Sequence, residues 1–128
     1  MIFDSDVLIA VSRGDREAGV LVDSDPSPFV SIVSVIEILQ GAKSKADMEA
    51  FQRSLRDSDF EVLGLSAAIG DLAAALIEDH ALSSGIELGD ALIAATALET
   101  GHVLATANVR HFRAIPRLEL KPFRPRRS

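Results

Sequence analysis

Four acidic side chains stand where acids are costly: Asp4 and Asp6 after the apolar run Met1 to Phe3, Glu37 within Ser-Val-Ile-Glu-Ile-Leu, and Asp90 ahead of the apolar stretch Ala91 to Leu98. A carboxylate among apolar residues is destabilising unless something positive lies beside it. Several brought together repel, so either one holds a proton or a hard cation occupies the middle. Oxygen-only donors select Mg2+ or Mn2+ over zinc. Such an ion polarises a phosphoryl oxygen and lowers the pKa of water, and a pair of them stabilises both the entering and the leaving oxygen of an in-line displacement. The chemistry indicated is phosphodiester hydrolysis.

Each acid also has a plainer explanation. Asp4 or Asp6 caps a helix expected from about Val7 to Gly14. Glu37 taken alone is a solvated helix position, and Asp90 alone is an N-cap favoured by the helix dipole. Thr106-x-Asn108 taken alone is an Asx turn. Their joint placement argues for a site, because two acids around Ser5 exceed what a cap requires. All five positions, counting Asn108, follow strand ends or lie on apolar helices able to reach one sheet edge. In α/β folds that edge, at the carboxyl ends of parallel strands, is where ligands bind.

The elements that would position them alternate. Met1 to Phe3, Phe29 to Ile32, Phe60 to Leu63, His102 to Thr106 and Leu118 to Lys121 have strand character. Between them the pattern predicts helices over Arg16 to Val22, Val35 to Gly41 capped by Ser34, Lys45 to Arg56, Ala67 to about Leu82 capped by Ser66, and Ala91 to Leu98 ended by Gly101. The fold class expected is α/β, a mainly parallel central sheet flanked by helices on both faces. At 128 residues and 48% apolar content the chain suits one domain with a real core. We expect that domain over residues 1–123, with residues 124–128 a basic, disordered tail.

Composition removes several function classes. The absence of cysteine excludes disulfides, thiolate zinc sites and a cysteine nucleophile, and it fits a reducing compartment. Six Phe with no Trp or Tyr argue against a base-stacking platform. No apolar run is long enough to span a membrane, and Asp4 and Asp6 interrupt any signal segment, so a cytoplasmic protein is expected. No phosphate-cradling glycine loop, Gly-x-Ser-x-Gly elbow or paired-histidine zinc motif occurs, and His80, His102 and His111 are scattered. The net charge of −6 argues against a nucleic-acid partner, yet residues 113–128 carry six bases against the single acid Glu119. Arg110, Arg113 and Arg117 are the candidate RNA contacts.

Four blocks resemble the PIN-domain ribonucleases, and particularly the VapC-type toxins of toxin–antitoxin pairs: residues 1–9 (MIFDSDVLI), 31–41 (SIVSVIEILQG), 89–98 (GDALIAATAL) and 104–112 (LATANVRHF). They occur in the family's order over residues 1–112. The resemblance implies that Asp4, Glu37 and Asp90 are catalytic and hold Mg2+ or Mn2+, with Ser5, Asp6, Thr106 and Asn108 as additional site residues. Ser5 and Asp6 occupy positions that are often Thr and Asn in the family, and Asn108 falls where many members carry a fourth acid. It also implies an RNA substrate, a VapB-type antitoxin that inserts a segment near the acids, and a homodimer, for which apolar helices such as Ala67 to Ile77 offer surface. Two rivals remain: a catalytically weak PIN-fold module that binds RNA or protein, and a haloacid-dehalogenase-type phosphatase, which also begins with Asp-x-Asp. The second also needs a suitably placed lysine, and Lys43, Lys45 and Lys121 follow no suitable strand.

Overall fold

The computed structural model describes residues 1–125, so Arg126 and Arg127 of the expected tail lie outside the described residues. Its centre is a sheet of five short strands: β1 (Ile2–Phe3), β2 (Phe29–Ser31), β3 (Glu61–Leu63), β4 (Leu104–Thr106) and β5 (Leu120–Pro122). They lie in the order β3-β2-β1-β4-β5, and every pairing is parallel. The α/β expectation therefore holds, with β1 in the middle.

Two residues of β1 explain why the sheet is covered on both faces. Side chains alternate across a strand. Ile2 enters one core cluster with Leu104, Ile93, Ala94 and Phe112, whereas Phe3 enters the other with Val7, Val30 and Ala105. Ile2, Phe3 and Leu104 are fully buried. Each such side chain contributes about 1.5–3 kcal/mol of transfer free energy. The first cluster is closed by α5 (Ala67–Ser84) and α6 (Leu88–Thr100), the second by α1 (Ser5–Ser12) and α2 (Arg16–Asp23). Between β2 and β3 run α3 (Ile32–Gln40) and α4 (Lys45–Asp57). On α4 no residue is fully buried, and only Phe51 and Leu55 lean on the core.

Ser66 caps α5 as expected, its hydroxyl accepting from Ile69 N, and Gly101 ends α6 in the left-handed conformation. Several boundaries differ, each for a local reason. Helix α1 begins at Ser5 rather than Val7, because the Asp4 side chain accepts from Ser5 N and starts the helix there. Ser31, not Ser34, caps α3: β2 passes into the helix with no loop, the Ser31 hydroxyl accepts from Val33 N, and Ser34 is left inside with a buried hydroxyl that has no partner. Helix α6 begins at Leu88, so Asp90 is not the N-cap but the third residue of the helix, in a capping box with Glu87. The edge strand lies at Leu120–Pro122, where a proline without an N–H is tolerated. A four-residue helix, α7 (Val109–Phe112), follows β4 and was not expected.

Candidate functional site

The carboxyl end of β1 delivers Asp4, and the carboxyl end of β4, its neighbour in the sheet, delivers Thr106. Asp4 is only 5% exposed. Its Oδ1 accepts from Ser5 N at 2.8 Å and lies 3.4 Å from the Ser5 hydroxyl, while Oδ2 accepts from the Thr106 hydroxyl at 2.8 Å. Asp6, in the first turn of α1, turns back to the same place. Its Oδ2 accepts from Ala107 N at 2.9 Å and lies 3.3 Å from Thr106 Oγ1, which itself accepts from Asn108 N at 3.0 Å. Asp6 Oδ1 is buried and has no hydrogen-bond partner.

Helix α6 supplies Asp90. Its Oδ2 accepts from Glu87 N at 3.3 Å and lies 2.9 Å from His111 Nδ1, while the Asn108 amide lies 2.8 Å from the same ring nitrogen. Glu37, on the solvent side of α3, rests its carboxylate against Gly89: a Cβ at that position would stand 2.6 Å from Glu37 Oε2. Only a glycine ahead of Asp90 leaves room for this approach.

The electrostatics join these groups. Burial first, and then the charge of Asp6, push Asp4 up to about 7, against the opposing hydrogen bonds from Thr106 and Ser5, with Asp90 adding to the rise. Burial likewise holds Asp6 above the usual carboxylate range, and burial followed by the Asp90 charge raises Glu37. Asp90 is thus the charge felt by both Asp4 and Glu37. No lysine or arginine forms an ion pair with any of these acids among the described residues.

That uncompensated charge is the test of fit for the cation that the donor types suggest. The donors are oxygen, the set lacks a positive partner, and a buried carboxylate oxygen of Asp6 is orphaned, all of which suit a hard divalent ion. Among the described residues no three acids or histidines stand together at ligand spacing; Asp4 is held by Thr106 and Ser5, and Asp90 by His111 and Glu87.

Of the residues singled out in the sequence, Asp4, Ser5, Asp6, Thr106 and Asn108 form one hydrogen-bonded network with Asp90, and Glu37 borders it through Gly89. The arginines divide. Arg110 and Arg113 line one shallow depression of about 540 Å³ with Ser83, Ser84 and Gly85. Arg117, in the left-handed region at φ 66°, lies with Gly101 and His102 at the opposite ends of the strands. His111 is the residue that sequence reasoning passed over; the signal was its spacing of three from Asn108, one helical turn. A groove of about 760 Å³ begins at Ser5 and Glu37 and runs beneath α4, lined by Leu8, Ile38, Phe51 and Phe60.

Comparison with known proteins places this geometry. The PIN-domain family matches residues 1–118. The chain is 34% identical over 116 residues to ribonuclease VapC10 of Mycobacterium tuberculosis, covering 88% of this chain and 85% of that protein. Among solved structures it is similar to a toxin–antitoxin complex from Klebsiella pneumoniae, with a TM-score of 0.76 and 29% identity over 90% of this chain and 92% of that one. It also has the fold of VapBC2 from Rickettsia felis, solved bound to a DNA fragment from its promoter, with a TM-score of 0.77 and 24% identity over 97% of this chain and 100% of that one. The chain belongs to the PIN-domain family, among its VapC-type ribonucleases.

Proposed function

We propose that this chain is an endoribonuclease that hydrolyses RNA phosphodiesters with the help of Mg2+ or Mn2+, and that it is the toxin of a toxin–antitoxin pair. The observation that carries the reading is Asp4: 5% exposed, raised to about 7, within the field of Asp90 and without a basic partner, on a PIN-domain fold. Asp4, Asp90 and Glu37 are the residues that would hold the ion, Glu37 directly or through water. The ion, when bound, supplies the positive charge that this set lacks and polarises the phosphate to be cleaved.

The protein groups divide the remaining work. Thr106 and Ser5 fix both oxygens of Asp4, and Asp6 fastens the turn after β4 through Ala107 N. Glu37, at the exposed rim, is open to substrate. Arg110 and Arg113, beside one another on and after α7, are the contacts available to an RNA backbone; Arg117, at the far ends of the strands, is not part of that surface.

A protein partner suits the surroundings. Exposed Ile36 and Leu88, chain neighbours of Glu37 and Gly89, put apolar surface beside the acids, and the groove beneath α4 offers more. An antitoxin arginine would meet the acids as a bidentate pair. A homodimer and a cytoplasmic location, where RNA is met, belong to the same proposal. No helix of the described residues is long and apolar enough to cross a membrane. The catalytically weak binding module is favoured by one residue, Asn108, an amide where many family members carry a fourth acid.

The test is substitution at the shared charge. Asp90→Asn should abolish metal-dependent RNA cleavage while leaving the circular dichroism spectrum unchanged; cleavage equal to the parent's would remove Asp90 from the site.

A further inference from the structure

His111 stands between two site residues at a single nitrogen. Nδ1 lies 2.9 Å from Asp90 Oδ2 and 2.8 Å from the Asn108 amide. A carboxylate only accepts hydrogen bonds, whereas an imidazole nitrogen either donates or accepts. It is the Asn108 nitrogen that faces the ring; with the amide turned so that its oxygen takes that place, the single hydrogen on Nδ1 is shared between Asp90 Oδ2 and the Asn108 oxygen in a three-centre bond, and no donor faces a donor. The two ends of an amide are alike in size and exchange without moving a neighbour. Asn108 itself is tied to the site through its backbone N–H, which donates to Thr106 Oγ1 at 3.0 Å, and Thr106 holds Asp4.

The consequence falls on Asp90. Its Oδ2 is occupied by His111 Nδ1–H and Glu87 N, whereas Oδ1 takes no hydrogen bond from the described residues. The two oxygens are therefore not equivalent, and the one left over is the one available to a cation. The backbone that carries the ring is held in place, because Phe112 of α7 is fully buried in the core cluster beside α6.

We propose that His111 is a positioning residue, its Nδ1–H holding Asp90 Oδ2 so that Oδ1 is presented to the site, with Asn108 as the acceptor that fixes the ring. Asn108, in place of an acid, thereby acts through His111 rather than as a ligand. This rests on the reading of Asp90 as part of a metal-dependent site. Partners that orient a ligating carboxylate from behind typically matter about 10–100-fold in metal affinity or activity.

The experiment is Mn2+ binding by calorimetry on the full chain, free of partner, for the parent, His111→Ala, His111→Asn and His111→Gln, with RNA cleavage and thermal unfolding measured alongside. An asparagine side-chain N–H sits where the ring Nδ1–H does, whereas a glutamine N–H reaches the place of Nε2. His111→Ala and His111→Gln should bind Mn2+ at least about tenfold more weakly, with kcat reduced and KM for RNA little changed. His111→Asn should recover most of both, although all three variants lose the same ring packing. Parental Mn2+ binding by His111→Ala, or an Asn variant as weak as Ala at equal thermal stability, would overturn the positioning role. A parent that binds no Mn2+ would overturn the metal-site reading, and the positioning role with it.

Discussion

The Thr106 hydroxyl lies 2.8 Å from Asp4 Oδ2 and 3.3 Å from Asp6 Oδ2, so one hydrogen faces two carboxylates from the start of the chain. The shorter contact takes the larger share. Thr106→Val keeps the shape and removes the hydrogen, leaving two buried carboxylates short of a donor. The expected cost is about 1.5–3 kcal/mol, the value of a hydrogen bond to a charged group. Chemical denaturation checks this, and Thr106→Ser should recover most of it.

Asp4 gives a stability profile whose sign is fixed. Its folded pKa, about 7, exceeds its ordinary value of 3.8, so the folded state binds the proton more tightly than the unfolded state does. Stability contributed in this way is present in full below about pH 4 and is lost as pH rises toward 7. In EDTA the protein should melt at a lower temperature at pH 8 than at pH 5. Mg2+ should raise the melting temperature more at pH 8, where it meets an ionised carboxylate. A flat profile in EDTA would contradict the buried-charge account.

Asp4→Asn should lose cleavage and gain stability. Keeping this carboxylate ionised above pH 7 costs on the order of 4 kcal/mol. An amide cannot accept on both sides as Asp4 does from Ser5 N and Thr106, so the gain at pH 8 in EDTA should be nearer 2 kcal/mol. Denaturation midpoints of the two proteins measure it.

Asp6→Asn separates the second acid from the first. Its Oδ2 serves Ala107 N, a task an amide oxygen also performs, while its charge is the second cause of the rise at Asp4. Cleavage should survive, with the rising limb of the pH–rate profile moved to lower pH. Loss as complete as that of Asp4→Asn would make Asp6 part of the reacting set.

Gly89→Ala should damage activity without damaging the fold. The added Cβ meets the tip of Glu37, 2.6 Å from Oε2, which can swing away. Within a helix, alanine is favoured over glycine by about 1 kcal/mol. We expect cleavage to fall about tenfold, in the range for displaced supporting groups, with an unchanged or slightly higher melting temperature.

The sheet and most helices were legible because the strands are short continuous apolar runs, as in Met1 to Phe3, and the helices repeat apolar residues every three to four, as in Met48, Phe51 and Leu55. Boundaries were hidden where hydrogen bonds decide them. Ser31 and Ser34 look alike as caps until the absence of a loop after β2 selects Ser31. Asp90 looks like an N-cap until Glu87 takes that place. The acids could be named because carboxylates are rare among apolar neighbours. That they meet Thr106 follows from β1 pairing with β4, a contact across about a hundred residues that no local pattern carries. His111 was missed because α7 is too short to show a period, and a lone histidine gives no sign of the ring's neighbours.

The central claim is that these acids cleave RNA with a divalent ion. The most direct measurement is incubation of the purified chain, free of antitoxin, with a structured RNA in Mg2+ or Mn2+, beside EDTA and Asp4→Asn controls. The account predicts cleavage that disappears in both controls. Cleavage that persists in EDTA or in Asp4→Asn, or none on any of several RNAs despite confirmed Mn2+ binding, would contradict it.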